Sequence, residues 1–413
     1  MKKNTVILII FLILAIGLLG YNYYFEPFKQ AAIEQDISQG EKVEEAVDLD
    51  LTAVEVIFGR LNDQAVIGQL ISWPVVLENN QLDNNNLTQQ EYLDYLVEKS
   101  PGFFTLFGSE ISTQSAKMTI DQLVNHSNSV LLPWFSVDHE GGTVQRLSGD
   151  GFTRLASWNS ICKLDKQQTE RALGKSALEL KEVGIDIVLA PMVDVGSVKS
   201  SLKTRICSSN PDVVVEKANS FIKVFQENDI LPVLKHFPGI GKIEVDLHKQ
   251  FAIGRVGIED VFVYRSLLDL YPEVGVMTSH IGLDNQFAEI PCSLSKDCVG
   301  ELIDNYQSTL VFTDALEMKS AFYQPESTQG ANIKELTLGD VSKKAVMAGN
   351  DVLIYGPSVR IEQLSDVYDM LIREYNSDNK FKQKVDQSVK KIISYKLGVP
   401  VEHEVKYPAI KQN

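Results

Sequence analysis

Eight short apolar runs, each rich in β-branched residues, recur along the chain between residues 69 and 354. Continuous apolar runs of this kind are typical of strands buried on both faces, as in a parallel sheet. Between them lie segments whose apolar residues keep helical spacing, such as 168–183 and 211–227. The eight runs are 69–76, 102–107, 130–137, 185–189, 230–234, 274–278, 309–312 and 351–354. Eight strands alternating with helices predict a single (β/α)8 barrel of the TIM type, and a doubly wound open sheet is the alternative.

Residues 1–24 differ in composition from the rest of the chain. Two lysines precede an uninterrupted apolar run at 6–19, and tyrosines and a phenylalanine follow within 21–25. This order is typical of an export signal or a membrane anchor. The stretch LLGYNYYF has no Ala-x-Ala-like cleavage site. We therefore expect an uncleaved anchor with its basic end in the cytoplasm and the barrel outside, and a cleaved signal with a secreted protein is the alternative.

The remaining domain boundaries follow from composition. Acidic residues without aromatics from about residue 30 predict a linker over 25–50. The folded domain is predicted over 51–400, with a tail at 401–413. We expect the protein to be a monomer.

The formal net charge of −16 limits the partners. Nucleic acids and anionic membrane surfaces carry phosphates that would be repelled by such a chain. We therefore expect no nucleic-acid partner and a small neutral or sugar-like ligand.

The chain has four cysteines, and these are Cys162, Cys207, Cys292 and Cys298. They show no C-x-x-C spacing and no nearby pair of histidines, which argues against a zinc site. Outside the cytoplasm a disulfide could form, and Cys292 and Cys298 are the nearest pair in sequence. The connectivity stays open at this point.

The stretch VLKHFPGIGKIEVDLH carries the densest group of polar residues with catalytic potential. A short apolar run ends in Lys235 and His236, and the following proline and glycines predict a loop. That loop presents Asp246 and His248 with one residue between them. A carboxylate so placed can accept the imidazole N–H and stabilise its cation, so the pair is a candidate general acid/base.

Polar residues also follow most of the other predicted strands. Any one of them could simply cap a helix or finish a turn. In a parallel barrel, however, the carboxyl ends of all strands meet at one face, which is where barrel enzymes keep their chemistry. The residues concerned are Asp138, His139, Glu140, Asp194, Arg205, Lys235, His236, His280 and Asp314. Their recurrence predicts an active site at that face.

Four segments resemble motifs of the bacterial family 3 glycoside hydrolases of the β-N-acetylhexosaminidase type. VDHEGGTVQRL is similar to the family's substrate-loop motif, and KHFPGIGKIEVDLH to its Lys-His-Phe-Pro-Gly-His-Gly motif followed by Asp-Ser-His. VMTSHI is similar to its sixth-strand motif, and LVFTDALEM to the segment that carries its nucleophile. The resemblance covers roughly residues 61–397 in the family's order, and the linked motifs make it specific.

The resemblance implies a retaining glycosidase in which Asp314 is the nucleophile that attacks the anomeric carbon. His248, oriented by Asp246, would be the general acid and then the general base. Most retaining glycosidases use two carboxylates about 5 Å apart, but an imidazole titrates near neutral pH and can serve instead. The positions implied to bind the N-acetylglucosamine hydroxyls and acetamido group are Asp138, Arg146, Arg205, Lys235 and His236.

Three positions depart from the family's motifs. The second histidine of the loop motif is Ile240, the serine between Asp246 and His248 is Leu247, and the arginine of Glu-Gly-Gly-Arg is Thr143. Because all the implied catalytic positions are present, we expect an altered substrate preference rather than a loss of activity.

These observations together predict an exo-β-N-acetylglucosaminidase without cofactor or metal, acting on peptidoglycan fragments or chitooligosaccharides. A β-glucosidase-like specificity is one alternative, and a non-catalytic relative that binds cell-wall sugars is another. A metal-dependent hydrolase is disfavoured because its ligands usually include His-x-His and the chain has only six histidines.

Overall fold

The computed structural model describes residues 49–83, 87–127, 129–284, 290–324, 335–399 and 401. The predicted anchor, nearly all of the linker and all but the first residue of the tail lie outside the described residues. Within the described part of the chain, no helix has the length and apolar character needed to cross a membrane.

Helices and strands alternate along the described chain. The helices are α1 (Leu49–Phe58), α2 (Asp63–Gln69), α3 (Gln89–Lys99), α4 (Thr113–His126), α5 (Trp158–Ile161), α6 (Lys166–Val183), α7 (Pro211–Gln226), α8 (Ile258–Leu268), α9 (Lys296–Ile303), α10 (Leu338–Ala348), α11 (Ile361–Ser377) and α12 (Asn379–Leu397). The strands are β1 (Ile71–Glu78), β2 (Gln81–Leu82), β3 (Phe103–Gly108), β4 (Trp134–Val137), β5 (His139–Gly141), β6 (Val144–Gln145), β7 (Ile187–Val188), β8 (Leu231–Phe237), β9 (Ile253–Gly254), β10 (Gly275–Thr278), β11 (Gly282–Leu283), β12 (Val311–Thr313) and β13 (Leu353–Ile354). Short 3₁₀ turns lie at Lys203–Arg205, Cys292–Leu294 and Lys319–Phe322.

The main sheet is curled, its parallel strands follow the order β12, β10, β8, β7, β4, β3, β1, β13, and β2 pairs antiparallel with β1. An isolated parallel bridge from Phe312 to Val352 joins β12 to the residue before β13, while Leu353 pairs with Ile71 of β1. Each of the eight strands overlaps one predicted apolar run, which confirms the parallel α/β prediction. From β1 to β12 the neighbours follow chain order without the reversal that a doubly wound sheet requires.

The helices bury one apolar face against the sheet, as their spacing predicts. In α6 the buried positions include Leu173, Ala177 and Leu180, which recur every three or four residues. Asp165 caps the start of this helix by accepting the Gln168 N–H, and a left-handed glycine ends it.

The interior of the sheet contains polar as well as apolar side chains. Ser72, Thr105 and Ser136 lie on β1, β3 and β4 and form a buried hydroxyl chain with oxygen separations of 2.6 and 2.7 Å. Each buried hydroxyl is thereby hydrogen-bonded, which offsets its loss of water.

Helix α12 packs at the amino ends of the strands, opposite the predicted active site. Near the end of α12, Lys396 Nζ donates to Gln69 Oε1 at 3.0 Å and to the carbonyls of Gly102 and Leu132 at 2.7 and 3.0 Å. Burial lowers the pKa of this lysine to about 7. Gly102 directly precedes β3, so these bonds hold the helix at the amino ends of the strands.

Two disulfides cross-link the connecting segments. The pairs are Cys292 with Cys298, the nearest pair in sequence, and Cys162 with Cys207. Spacing alone does not reveal the second pair, because it joins segments that only the fold brings together.

Candidate active site

Four charged side chains meet at the carboxyl ends of the strands: Asp138 after β4, Glu140 on β5, Arg205 in the segment after β7, and Lys235 on β8. Arg205 donates to both oxygens of Glu140, from Nε and Nη2, each at 2.8 Å. Lys235 lies 2.5 Å from Glu140 and donates to Asp138 at 2.8 Å. The side chains of Lys235 and Glu140 are only 2% and 1% exposed. The result is a buried cluster in which two cations share two carboxylates.

The charges of this cluster stabilise each other. Burial alone raises the pKa of Glu140, but the charges and hydrogen bonds of Arg205 and Lys235 outweigh burial and hold that pKa well below its ordinary value. Burial alone lowers the pKa of Lys235, but Asp138 and Glu140 together raise it above its ordinary value. Glu140 and Lys235 are therefore both ionised at neutral pH.

Arg146 lies at the edge of the same cluster. Its Nη2 is 3.9 Å from Asp138 Oδ2, and its Nε is buried without a hydrogen-bond partner in the structure. A buried N–H without a partner is costly, so a hydrogen bond to this Nε would be favourable.

Asp194, which follows β7, fixes the end of β8. Its carboxylate accepts from the His236 backbone N–H at 3.1 Å and contacts His236 Nδ1 at 2.8 Å. The other oxygen accepts from the Ile240 N–H at 2.6 Å. The contact with Asp194 fixes the His236 ring through Nδ1, so that Nε2 is directed away from Asp194.

Asp314 follows β12 directly and is partly exposed. Its backbone N–H donates to Thr278 O at 2.9 Å, and its Oδ1 accepts from the Ala315 N–H at 2.8 Å. Burial raises the pKa of Asp314, but the attraction of His236 and His280 in their protonated forms, together with the Ala315 N–H, outweighs burial and lowers it. A carboxylate kept ionised in this way can act as a nucleophile.

His280 braces the segment that carries Asp314. Its Nδ1 lies 2.6 Å from Ser293 Oγ and its Nε2 lies 3.0 Å from Ala315 O. Because a carbonyl can only accept, the proton is on Nε2, and Nδ1 accepts from the serine hydroxyl. Burial lowers the pKa of His280, which is consistent with this neutral form.

The loop after β8 carries the predicted acid/base pair. His248 Nδ1 lies 2.9 Å from Asp246 Oδ1, and the same oxygen accepts from the His248 N–H at 3.0 Å. The side chain of His248 is 69% exposed. Its carbonyl accepts from the Lys319 N–H at 3.4 Å, which connects the loop to the segment after Asp314. The dyad predicted from the spacing is thus formed, and it faces solvent.

The departures from the family motif have a structural role in this loop. Ile240 and Leu247 are both 5% exposed and belong to the hydrophobic core. They therefore anchor the loop by packing on both sides of Asp246. Thr143 is exposed on the turn between β5 and β6.

Glu140, Asp194 and His280 belong to the polar residues that follow the predicted strands, but the family resemblance gives them no role. Only the structure shows that they bind Arg205, His236 and the Ala315 carbonyl, respectively. Glu317 is a further carboxyl at this face. Its Oε2 accepts from the Gly356 N–H at 2.8 Å, and burial raises its pKa. Its position three residues after Asp314 is the one sequence signal that could have indicated it.

Among the residues that the structure describes, no group of three or more His, Cys, Asp or Glu side chains is placed to hold a metal ion. The strand-end face thus presents carboxylates, imidazoles and fixed N–H donors. These groups suit the recognition of a polyhydroxylated ligand and proton transfer to it.

Comparison with known proteins agrees with this chemistry. Residues 66–395 match the family model described as glycosyl hydrolase family 3 N terminal domain. A beta-hexosaminidase of Idiomarina loihiensis is 30% identical over 223 residues, which are 52% of this chain and 63% of that protein. The chain spans less than two thirds of the length of the first curated relatives that it matches.

Solved structures share the fold. The beta-N-acetylhexosaminidase from Beutenbergia cavernae superposes with a TM-score of 0.70 at 21% identity, covering 82% of this chain and 99% of that one. M tuberculosis LpqI superposes with a TM-score of 0.68 at 23% identity, covering 84% and 97%. Since the family model spans most of the folded chain, the protein belongs to the glycosyl hydrolase family 3 N-terminal domain family.

Proposed function

We propose that the protein is a retaining exo-β-N-acetylglucosaminidase built on a single (β/α)8 barrel. The observation that carries the proposal is that a candidate nucleophile and a candidate acid/base pair lie at the same face of the sheet, at the carboxyl ends of its strands. An ionised Asp314 lies beside a loop whose Asp246–His248 pair is formed at 2.9 Å. The family membership and the names of the relatives, beta-hexosaminidase and beta-N-acetylhexosaminidase, support the same substrate class.

The first step forms a covalent intermediate on Asp314. Its carboxylate oxygen attacks the anomeric carbon, and the bond from that carbon to the glycosidic oxygen breaks. The departing oxygen keeps the bonding electrons and takes the proton from Nε2 of His248. Asp246 stabilises the histidine cation before transfer and keeps Nε2 directed away from itself.

The second step releases the sugar with its original anomeric configuration. His248 now accepts a proton from water, whose oxygen attacks the anomeric carbon as the ester bond to Asp314 breaks. Two displacements at one carbon give net retention. The exposure of His248 suits this exchange of a leaving group for water, because both must reach the same imidazole.

The sugar itself would lie over the buried charged cluster. Asp138 can accept hydroxyl protons, while Arg146, Arg205 and Lys235 donate. Because Lys235 and Arg205 are already fixed by Glu140 at 2.5 and 2.8 Å, they are placed for binding before the sugar arrives. His236, fixed by Asp194, completes the set.

The first test is hydrolysis of an aryl β-N-acetylglucosaminide beside the matching β-glucoside, with Asp314→Asn as the inactive control. The proposal expects turnover of the first substrate by the wild type and none by the variant. Preference for the glucoside would favour the β-glucosidase alternative. Tight binding of N-acetylglucosamine without turnover would favour the sugar-binding relative and contradict the proposed catalysis.

The role of His248 is tested through the leaving group. His248→Ala should lower turnover about 10²- to 10⁴-fold on a substrate with a sugar leaving group. The defect in the glycosylation step should shrink with an activated aryl leaving group, which departs without protonation. His126→Ala is a matched control, since His126 lies at the end of α4 and bonds its ring to Gln122 O. An equal defect on both substrates would contradict the assignment of His248 as the general acid.

We further propose that the protein works as a monomer outside the cytoplasm, held by residues 1–24, on peptidoglycan fragments or chitooligosaccharides. The two disulfides support an oxidising location. Digestion of intact cells with an external protease tests the location, and protection of the barrel until the cells are lysed would contradict it. Sedimentation of the detergent-solubilised protein tests the monomer.

A further inference from the structure

Cys207, which is disulfide-bonded to Cys162, lies two residues after Arg205, and Arg205 donates to Glu140. Arg205 is at the end of the 3₁₀ turn Lys203–Arg205, in the long segment between β7 and α7. The segment begins with a bridge from Met192 to Lys235 of β8, and Gly196 N–H donates to Ser208 O at 3.2 Å, but residues 194–210 form no strand. The position of the Arg205 backbone therefore depends on a few identifiable attachments.

One attachment leads to α5 and is doubled. The disulfide joins Cys207 to Cys162 at the end of α5, and Asn159 Nδ2 in that helix donates to Ile206 O at 3.0 Å and to Cys207 O at 3.2 Å. Helix α5 thus holds the two residues that follow Arg205 by one covalent bond and two hydrogen bonds.

The short helix α5 is itself firmly held. Trp158 Nε1 donates to Met192 O at 2.9 Å, and the indole packs edge-on against Phe221 of α7 at 5.7 Å. Trp158 is buried. Helix α5 can therefore serve as a fixed support to which the disulfide ties the Arg205 segment.

The other end of the same segment is attached to the acid/base loop. Both the N–H and the hydroxyl of Ser201 donate to Ile243 O, at 3.0 and 2.9 Å. Ile243 lies between the buried residues Ile240 and Leu247, in the loop that carries Asp246 and His248. This attachment consists of hydrogen bonds alone, so the disulfide is the covalent restraint on the segment.

The fork of Arg205 leaves donors for a ligand. A guanidinium has five N–H groups, and Glu140 engages Nε and Nη2. The Nη1 group and the second Nη2 hydrogen can then reach a sugar hydroxyl. To donate to a sugar while bound to Glu140, Arg205 must keep its backbone in a fixed position relative to Glu140, because a bidentate pair tolerates little displacement.

We propose that the Cys162–Cys207 disulfide is a positioning element for Arg205, and that sugar affinity depends on it. The inference rests on the proposed function, because it assigns Arg205 to sugar binding. Breaking the disulfide would loosen one donor of the binding cluster, while the two hydrogen bonds from Ser201 to Ile243 O still connect the segment to the loop that carries His248. The enzyme would then need an oxidising compartment for full affinity.

The test is a double-mutant cycle on the full chain with the aryl β-N-acetylglucosaminide. Cys162→Ala with Cys207→Ala should raise KM about tenfold, the equivalent of one charge-assisted hydrogen bond, with kcat within about twofold. Arg205→Lys keeps the charge beside Glu140 and removes the fork, and it should raise KM similarly. In the Arg205→Lys background the cysteine replacement should add less than about twofold, because both changes remove one interaction.

A second readout does not need activity. Amide hydrogen exchange over 197–208 should become faster in the cysteine variant, whereas exchange over 103–126 should stay unchanged. An unchanged KM, an equal KM increase in both backgrounds, or unchanged exchange over 197–208 overturns the proposal. If the wild type hydrolyses neither aryl glycoside, the proposed function fails, and the exchange measurement alone decides whether the disulfide positions Arg205.

Discussion

Glu140→Gln should cost far more stability than a surface substitution of the same chemistry. Glu140 is 1% exposed and accepts from Arg205 twice at 2.8 Å, with Lys235 at 2.5 Å. The variant removes the charge and leaves one acceptor oxygen for these donors. Removing one partner of a buried ion pair costs about 3–5 kcal/mol. Because Lys235 keeps Asp138 at 2.8 Å and Arg205 is 22% exposed, we expect a loss near the lower end, about 3 kcal/mol.

Glu110→Gln is the matched control. Glu110 pairs with Arg154 at 2.6 Å, but the two side chains are 73% and 63% exposed. Water solvates both partners after the change, so the loss should be at most about 1 kcal/mol. Urea unfolding at neutral pH with the disulfides intact measures both variants, and equal slopes show that the unfolded states are comparable. Equal losses in the two variants would refute the reasoning from burial.

The pH dependence of the Glu140 contribution has a definite sign. The folded-state pKa of Glu140 lies below its ordinary value of 4.5, so the unfolded chain binds the proton first as the pH falls. The stability difference between wild type and Glu140→Gln should therefore be constant above about pH 5 and shrink below it. A difference that grows on acidification would contradict the ionised pairing.

Three further variants test other parts of the structure. Asp246→Asn should lower kcat by less than the roughly 10²-fold or larger loss expected for His248→Ala, because the imidazole remains and loses only its charged partner. Kinetics on substrates with sugar and with activated aryl leaving groups compare the two variants. Gly356→Ala should destabilise the fold by about 1–3 kcal/mol, because its Cβ would lie 1.8 Å from Glu317 Oε1, and adding Glu317→Ala should restore thermal stability. Lys396→Met should cost about 2 kcal/mol or more, because two carbonyls and a glutamine oxygen lose their donor; urea unfolding measures the loss, and an unchanged kcat would show that this edge is remote from the chemistry.

The sequence predicts the strands of the parallel sheet, and it places the candidate site at their carboxyl ends. Strands buried on both faces are mostly apolar, so the eight parallel strands are visible as runs, and the polar residues that follow them mark the candidate site. The Asp246–His248 pair is also local, because one residue separates the partners. Such features depend on neighbours along the chain, and the chain order displays them directly.

Only the tertiary structure decides which charged side chains form ion pairs. Glu140 and Arg205 lie 65 residues apart, and their bidentate contact exists only because β4 and the segment after β7 end at the same face. The same holds for Cys162 with Cys207, separated by 45 residues. Ile240 and Leu247 look like departures from a motif in the sequence, but burial shows that they anchor the loop. Long-range contacts depend on how strands align in space, and residue spacing carries no record of that alignment.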